Sequence, residues 1–153
     1  MNNPQLLVDA LLEEDRLLRC CLAACPQELR DGRGPGQSLS FKETLAHIAF
    51  WDNFTVDFFT RKLDRKSLNP QPPLDFEEYN RQALAAAATW PFGEVLARYL
   101  ESTGALTRFL NGHWAELTPR ERFDLRITLK HRRQHRISLE NTLDRPDPLA
   151  AEA

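Results

Sequence analysis

The chain has 153 residues, 42% of them hydrophobic and 27% charged, with 20 basic against 22 acidic side chains and a formal net charge of −2 at pH 7. That length is enough for one domain with a real core, and the near-balanced charge gives no electrostatic reason to expect nucleic acid or an anionic membrane as a partner. No stretch approaches the ~20 consecutive apolar residues of a membrane span.

The opening Met1-Asn2-Asn3-Pro4 lacks a basic n-region, and Asp9, Glu13, Glu14 and Asp15 break any apolar run behind it. No signal peptide is expected, and the default compartment is the cytoplasm. A first helix is predicted from about Pro4 to Ala24, with Pro4 suited to the first turn and Pro26 stopping the far end. Leu7, Leu11, Leu18, Cys21 and Cys25 form its apolar stripe, which Glu14 interrupts. Carboxylates are seldom buried unless paired, so Glu14 is expected at the stripe's edge with its head in water. Cys20, Cys21 and Cys25 are an odd number in one predicted helix, which does not look like a disulfide framework. They read as small buried apolar residues, although the spacing of Cys21 and Cys25 is geometrically compatible with a redox or metal role. Residues 31–39 are a loop by composition, and their glycines lack the Gly-Lys-Ser/Thr and the preceding strand of a phosphate loop.

A second helix begins at Ser40. Ser40-Phe41-Lys42-Glu43 is a capping box, in which the serine oxygen accepts from a free backbone N–H and the glutamate reaches back. The helix is predicted to run to about Leu63. At about 100° per residue, His47, Trp51, Phe54 and Phe58 share one face, flanked by Thr44 and Phe50. Lys42, Asp52, Asn53 and Thr60 point away from it. His47 is therefore expected to face the core among aromatics.

Lys66 to Pro73 is polar and proline-rich, hence a connector. Asp75 to Ala88 reads as a short helix, capped by Asp75, with Glu77 and Glu78 in its first turn and five alanines behind. Its low apolar bulk suggests a place on the surface or at a subunit contact. Thr89-Trp90-Pro91 opens a third long helix that continues to about Gly112, with Leu96, Tyr99, Thr103, Leu106 and Leu110 as its buried stripe. His113, at its C-terminus, is read as structural or exposed. Thr118-Pro119-Arg120-Glu121 is a second capping box with proline at the first helical position. The fourth long helix is predicted to run from there to about Leu143, closed by Pro146 and Pro148, with 144–153 a frayed tail. No strand-like alternation occurs. Four helices of about 20 residues, each roughly 30 Å long, describe an all-α four-helix bundle with a short extra helix between the second and third.

The chemistry concentrates in His131-Arg132-Arg133-Gln134-His135. Histidines four apart stand one turn apart on one helix face, close enough to share a metal ion. With His131 at zero, His135 lies at about 40°, Thr128 at about 60° and Asp124 near 20°, while Arg126, Lys130 and Arg133 fall on the opposite side and Arg132 and Arg136 between. The main cations thus back away from the histidines, which argues against a nucleic-acid patch. Neutral imidazoles facing a core must be satisfied, at a cost of ~1–3 kcal/mol each if they are not. Two at this spacing, with His47 inward on another helix, make a shared metal the economical explanation. Three histidines leave a coordination position open, as catalytic sites do.

Ser40-Phe41-Lys42-Glu43-Thr44-Leu45-Ala46-His47-Ile48-Ala49-Phe50-Trp51 resembles the second-helix motif of the DinB/YfiT-like superfamily, and His131 and His135 match its C-terminal His-x3-His. The helix order, the long connection between helices 2 and 3 and the total length are similar across nearly the whole chain. The resemblance implies a four-helix bundle of up-down-down-up order, a divalent ion such as zinc, nickel or iron on His47, His131 and His135, and a homodimer. It also implies relatives that are thiol-dependent transferases or isomerases using low-molecular-weight thiols.

Three functional classes follow. The first is a metal-dependent enzyme in which the three histidines hold one divalent ion that activates a thiol or water for attack on a small electrophile. The pocket wall would include Trp51, Phe54 and Thr128. No general base is assigned; Asp124 and Glu14 are geometric candidates better read as surface or ion-pair residues. The second is a stress-resistance protein that binds a small ligand or a metal without turnover. The third is an interaction protein with structural histidines.

Overall fold

The computed structural model describes residues 3–34, 36–64 and 75–144. Among them the elements are α1 (Gln5–Ala24), α2 (Gln27–Asp31), α3 (Phe41–Leu63), α4 (Phe76–Ala88), α5 (Phe92–His113), a 3-10 turn (Trp114–Glu116), α6 (Pro119–Asp124) and α7 (Arg126–Leu143), with no strand. None of these helices is long and apolar enough to cross a membrane. The predicted connector Lys66–Pro73 and the tail from residue 145 onward lie outside the described residues.

Local chemistry sets the helix ends. Ser40 Oγ accepts from Glu43 N at 3.1 Å while Glu43 Oε2 accepts from Ser40 N at 2.8 Å, completing the capping box of α3. Thr118 and Glu121 repeat the arrangement at α6, with Pro119 at its first position. Asp75 caps α4 by accepting from Glu78 N at 3.0 Å. Each such cap satisfies backbone donors that a helix start leaves open, typically worth about 1 kcal/mol.

Two expectations need correction. α2 stands between Pro26 and the loop where no helix was expected, and packs on α3. The fourth long helix is interrupted at Leu125, between α6 and α7. There the Leu125 carbonyl accepts from both Thr128 N (3.2 Å) and Thr128 Oγ1 (2.7 Å), a tight local pattern that competes with the regular helical ladder. Leu125 itself is fully buried, so the interruption is packed rather than frayed.

α3 packs most extensively on α5, and α1 on α7; α1 also meets α5, and α3 meets α7. Apolar side chains divide into two clusters. One joins Leu18, Cys21 and Leu22 of α1, Phe41, Leu45 and Ile48 of α3, Val95 and Tyr99 of α5, and Leu139 of α7. The other joins Leu7, Val8 and Leu11 of α1, Phe59 of α3, Leu106, Phe109 and Leu110 of α5, and Leu125. A polar layer lies between them, contributed by every long helix: Asp15, Asp52, Ser102, Thr103 and Arg132 are all buried.

The buried polar side chains Asp52, Arg132 and Glu14 overturn three expectations. Asp52, expected to point away from the core, is 2% exposed, and Arg132, expected at an intermediate position, is fully buried. The buried seam of α3 runs through Phe41, Leu45, Ile48, Asp52 and Phe59, so the aromatic face lies beside it, with Phe58 41% exposed. A helix touching α4, α5 and α7 covers more than one face, and a single hydrophobic stripe does not reveal which is deepest. Glu14, expected with its head in water, is 4% exposed and is gripped by Arg133 Nε at 2.7 Å and Arg136 Nε at 2.5 Å. Burial alone would raise its carboxyl, but the two arginines outweigh that and hold it below the usual carboxylate range. Cys21 and Cys25 are buried as expected for small apolar residues, and Cys20 is exposed.

Candidate metal centre

α3 supplies His47 and α7 supplies His131 and His135; ring centroids are 4.6–4.8 Å apart, with His135 edge-on to both other rings and His47 tilted against His131. His131 Nε2 lies 2.8 Å from His47 Nε2 and 3.1 Å from His135 Nε2. One donor atom from each histidine lies within 4.8 Å of the others, the one such group of three or more metal-ligating side chains found among the described residues.

The three side chains could hold one ion. Nitrogens bound to a common metal at about 2.0–2.1 Å and at angles between octahedral and tetrahedral stand about 2.9–3.4 Å apart. His131 Nε2 stands at or close to that spacing from His47 (2.8 Å) and from His135 (3.1 Å), and the three donor atoms lie within 4.8 Å of one another. Without an ion the ring nitrogens satisfy one another incompletely, because each N–H···N contact needs one protonated and one bare nitrogen. A divalent cation takes all three lone pairs together. The histidines are also in the right protonation state. Burial lowers the His47 imidazole below its ordinary value. Burial, followed by the nearby His47 and Arg132, lowers His131 to about 4. Burial, followed by His131 and His47, lowers His135 to about 3. All three are therefore neutral near pH 7, as metal ligation requires.

These shifts make the metal-free protein acid-sensitive. Unfolded histidines take up protons near their ordinary value of about 6.5, whereas the folded ones resist to about 4 and 3. As pH falls from about 6.5 towards 4, protons bind the unfolded chain preferentially and stability is lost. Urea denaturation of metal-free protein should show a loss on going from pH 7 to pH 5 that exceeds that of the His131→Asn/His135→Asn variant by about 1–3 kcal/mol, allowing for partial exposure. Equal losses in the two proteins would refute the assignment of neutral, partly buried imidazoles.

A cavity of about 460 Å³ opens beside the histidines. His47, Trp51, Phe54 and Thr55 line it from α3, and Thr128 and His131 from α7. The expected wall residues Trp51, Phe54 and Thr128 thus all reach it. Sequence reasoning missed Asp52, Phe76 and Asn80. Phe76 and Asn80 belong to α4, which was expected at the surface, and Asn80 Oδ1 accepts from Trp51 Nε1 at 2.9 Å, which orients the indole. The only local signal was the concentration of Phe76 and Tyr79 in an otherwise alanine-rich helix.

Behind the cavity the polar layer is closely bonded. Arg132 Nη2 donates to Asp52 Oδ2, and Arg132 Nη1 donates to Tyr99 Oη and Thr103 Oγ1, each at 2.9 Å. Tyr99 Oη donates in turn to Asp15 Oδ1 at 2.7 Å. Burial pushes the Asp52 carboxyl up to about 6 despite the opposing pull of Arg132. Asp52 is five residues from His47, and Arg132 is next to His131, so this ion pair ties the two helices together at the level of the histidines. Of the earlier base candidates, Asp124 pairs with Arg120 and Glu14 with Arg133 and Arg136, and neither lines the cavity. His113 ends α5 and bonds Glu116 at 2.8 Å, away from the cluster.

Comparison with protein-family models, with characterised proteins and with solved structures finds no match to this chain.

Proposed function

We propose that this chain is a divalent-metal protein of the DinB/YfiT-like type, built as a four-helix bundle of up-down-down-up order. Membership of the two apolar clusters supports that order. Rising residue number runs from the second cluster to the first in α1 and α7, and from the first to the second in α3 and α5. α3 and α5 then run parallel, which requires a long connection such as the one containing α4.

The observation that carries the functional reading is the grouping of His47, His131 and His135, two of which, His47 and His131, line an open cavity. These three residues would hold zinc, nickel or iron, and the ion would supply Lewis acidity to lower the pKa of a thiol or water. The chain's own residues position the rest. α3 and α7 hold the imidazoles neutral and oriented, and Trp51 and Phe54 wall the approach and displace water. The activity that best fits is transfer or hydrolysis on a small electrophile, with a low-molecular-weight thiol as one candidate co-substrate.

One observation favours binding without turnover. The single carboxylate lining the cavity among the described residues, Asp52, is already engaged by Arg132, which leaves no free base at the wall. The test is elemental analysis of untagged protein purified without added metal or chelator, followed by a screen with thiols and electrophiles. About one equivalent of a transition metal per chain with turnover supports the enzyme. Stoichiometric metal without turnover supports the binding protein. Absence of metal, and no uptake of zinc, nickel or iron on titration, rejects the metal centre and leaves metal-free ligand binding or an interaction role as the reading.

A further inference from the structure

The cavity beside the histidines has an unusual lining for a polar site. Trp51 sits at the centre of an aromatic group, with ring centroids 5.3 Å from Phe54, 5.5 Å from Phe76, 5.4 Å from Phe50 and 6.2 Å from Tyr79. The indole is held in place by its bond to Asn80. Two apolar side chains of the wall, Phe76 and Ile127, are 58% and 61% exposed, so large hydrocarbon surfaces flank the opening and face water. Among the described residues no lysine or arginine lines the cavity, and its one carboxylate is bonded to Arg132.

We propose that this cavity takes a small molecule with an uncharged aromatic body and a single donor head, the body lying on Trp51, Phe54 and Phe76 and the head directed at the histidine cluster where His47 and His131 reach the wall. The wall offers π faces and edges, on which a flat ring gains both buried area and oriented contact. A charge on the body would lose hydration and meet no counter-charge among the described lining residues. His47 and His131 are the lining residues that could present a shared cation to an anionic or lone-pair donor, with the amides and hydroxyls of Thr55, Asn80, Thr128 and Gln134 as neutral hydrogen-bonding partners. The dimensions agree. Eight residues separate His47 from Thr55 on α3, about 12 Å of helix, and a volume of about 460 Å³ is in the range that holds a ligand of one or two rings.

The head-group part of this proposal rests on the three-histidine reading, whereas the body part does not. Binding of 4-fluorobenzyl mercaptan is followed by its fluorine resonance under anaerobic conditions, with zinc-loaded and metal-free protein, and beside 2-mercaptoethanol and 4-(mercaptomethyl)benzoate measured by calorimetry. The expected result is binding in both protein forms, tighter with zinc, and at least about tenfold tighter than either comparison thiol on the zinc form. Phe76→Ala is the decisive variant, because the side chain is mostly exposed and its loss spares the fold; binding of the fluorinated thiol should weaken about three- to tenfold with that of 2-mercaptoethanol unchanged. Trp51→Ala should weaken it further.

Binding without zinc uptake would uphold the aromatic cavity and reject the metal. Stoichiometric zinc with no binding of the fluorinated thiol overturns the proposal and leaves the metal centre standing. Equal or tighter binding of the carboxylate-bearing thiol, or no effect of Phe76→Ala, overturns the uncharged aromatic class.

Discussion

Removing any one of the three histidines should abolish stoichiometric metal binding while leaving the helical fold in place. Wild-type protein is expected to retain about one equivalent through gel filtration, and His47→Ala, His131→Ala and His135→Ala to retain less than a tenth of that, with affinity reduced at least about a hundredfold. The expectation follows from convergence. With the three donor atoms within 4.8 Å of one another, each imidazole would serve the same ion, so two remaining ligands cannot replace the third. The fold should survive because all three side chains are only partly buried, beside the seam of the core. Circular dichroism should show unchanged helicity in each variant. Full metal content in any two of the three variants would show that the ion, if present, sits elsewhere.

The largest loss of stability is expected from Arg132→Met. It would strand Asp52, 2% exposed, without its guanidinium partner, while Asp15 keeps Arg19 Nε at 3.0 Å and the Tyr99 hydroxyl at 2.7 Å. Removing one partner of a buried ion pair typically costs about 3–5 kcal/mol, since the remaining charge is neither hydrated nor compensated. Asp52→Leu with Arg132→Met should recover much of that loss, because two apolar side chains need no partner. Arg132 also keeps one buried nitrogen, Nε, without a partner, so the wild-type arrangement is not a fully satisfied network. Urea denaturation of the two single variants and the double variant measures the coupling. A single-variant cost below about 1 kcal/mol would mean that water reaches the layer and that Arg132 is not the tie between α3 and α7. The same variants bear on the metal. If the pair sets the register of His47 against His131, Arg132→Met should weaken metal binding about tenfold or more, and the double variant should restore it only as far as packing restores that register.

The helical class and most helix ends were legible in the amino-acid sequence because their causes are local. Ser40 with Glu43, Thr118 with Glu121, and Asp75 each satisfy backbone donors within one turn, and no distant residue is needed to predict them. The interruption at Leu125 was not legible, since Thr128 is an ordinary helix residue until its hydroxyl is seen bonding the Leu125 carbonyl.

The three histidines were legible for a related reason. His131 and His135 share a face by helix geometry alone, and His47 stood among aromatics on an inward face of α3. Their identity as a candidate cluster therefore came from residue type and spacing, and so did Trp51, Phe54 and Thr128 as wall residues. Only the tertiary structure decided which faces are deepest. Periodicity measures a stripe of hydrophobic residues, and Asp52, Arg132 and Glu14 are polar; each is buried because a partner on another helix neutralises it. Such pairing depends on the rotation and register of whole helices, to which no single helix's pattern responds. The same holds for α4. Its alanines marked it as a surface helix, but its packing on α3 brings Asn80 to Trp51 and Phe76 to the mouth of the cavity. Short-range backbone chemistry thus made the helices and the histidine pair predictable, while long-range charge pairing and helix packing determined the polar layer, the third ligand's approach and the aromatic wall.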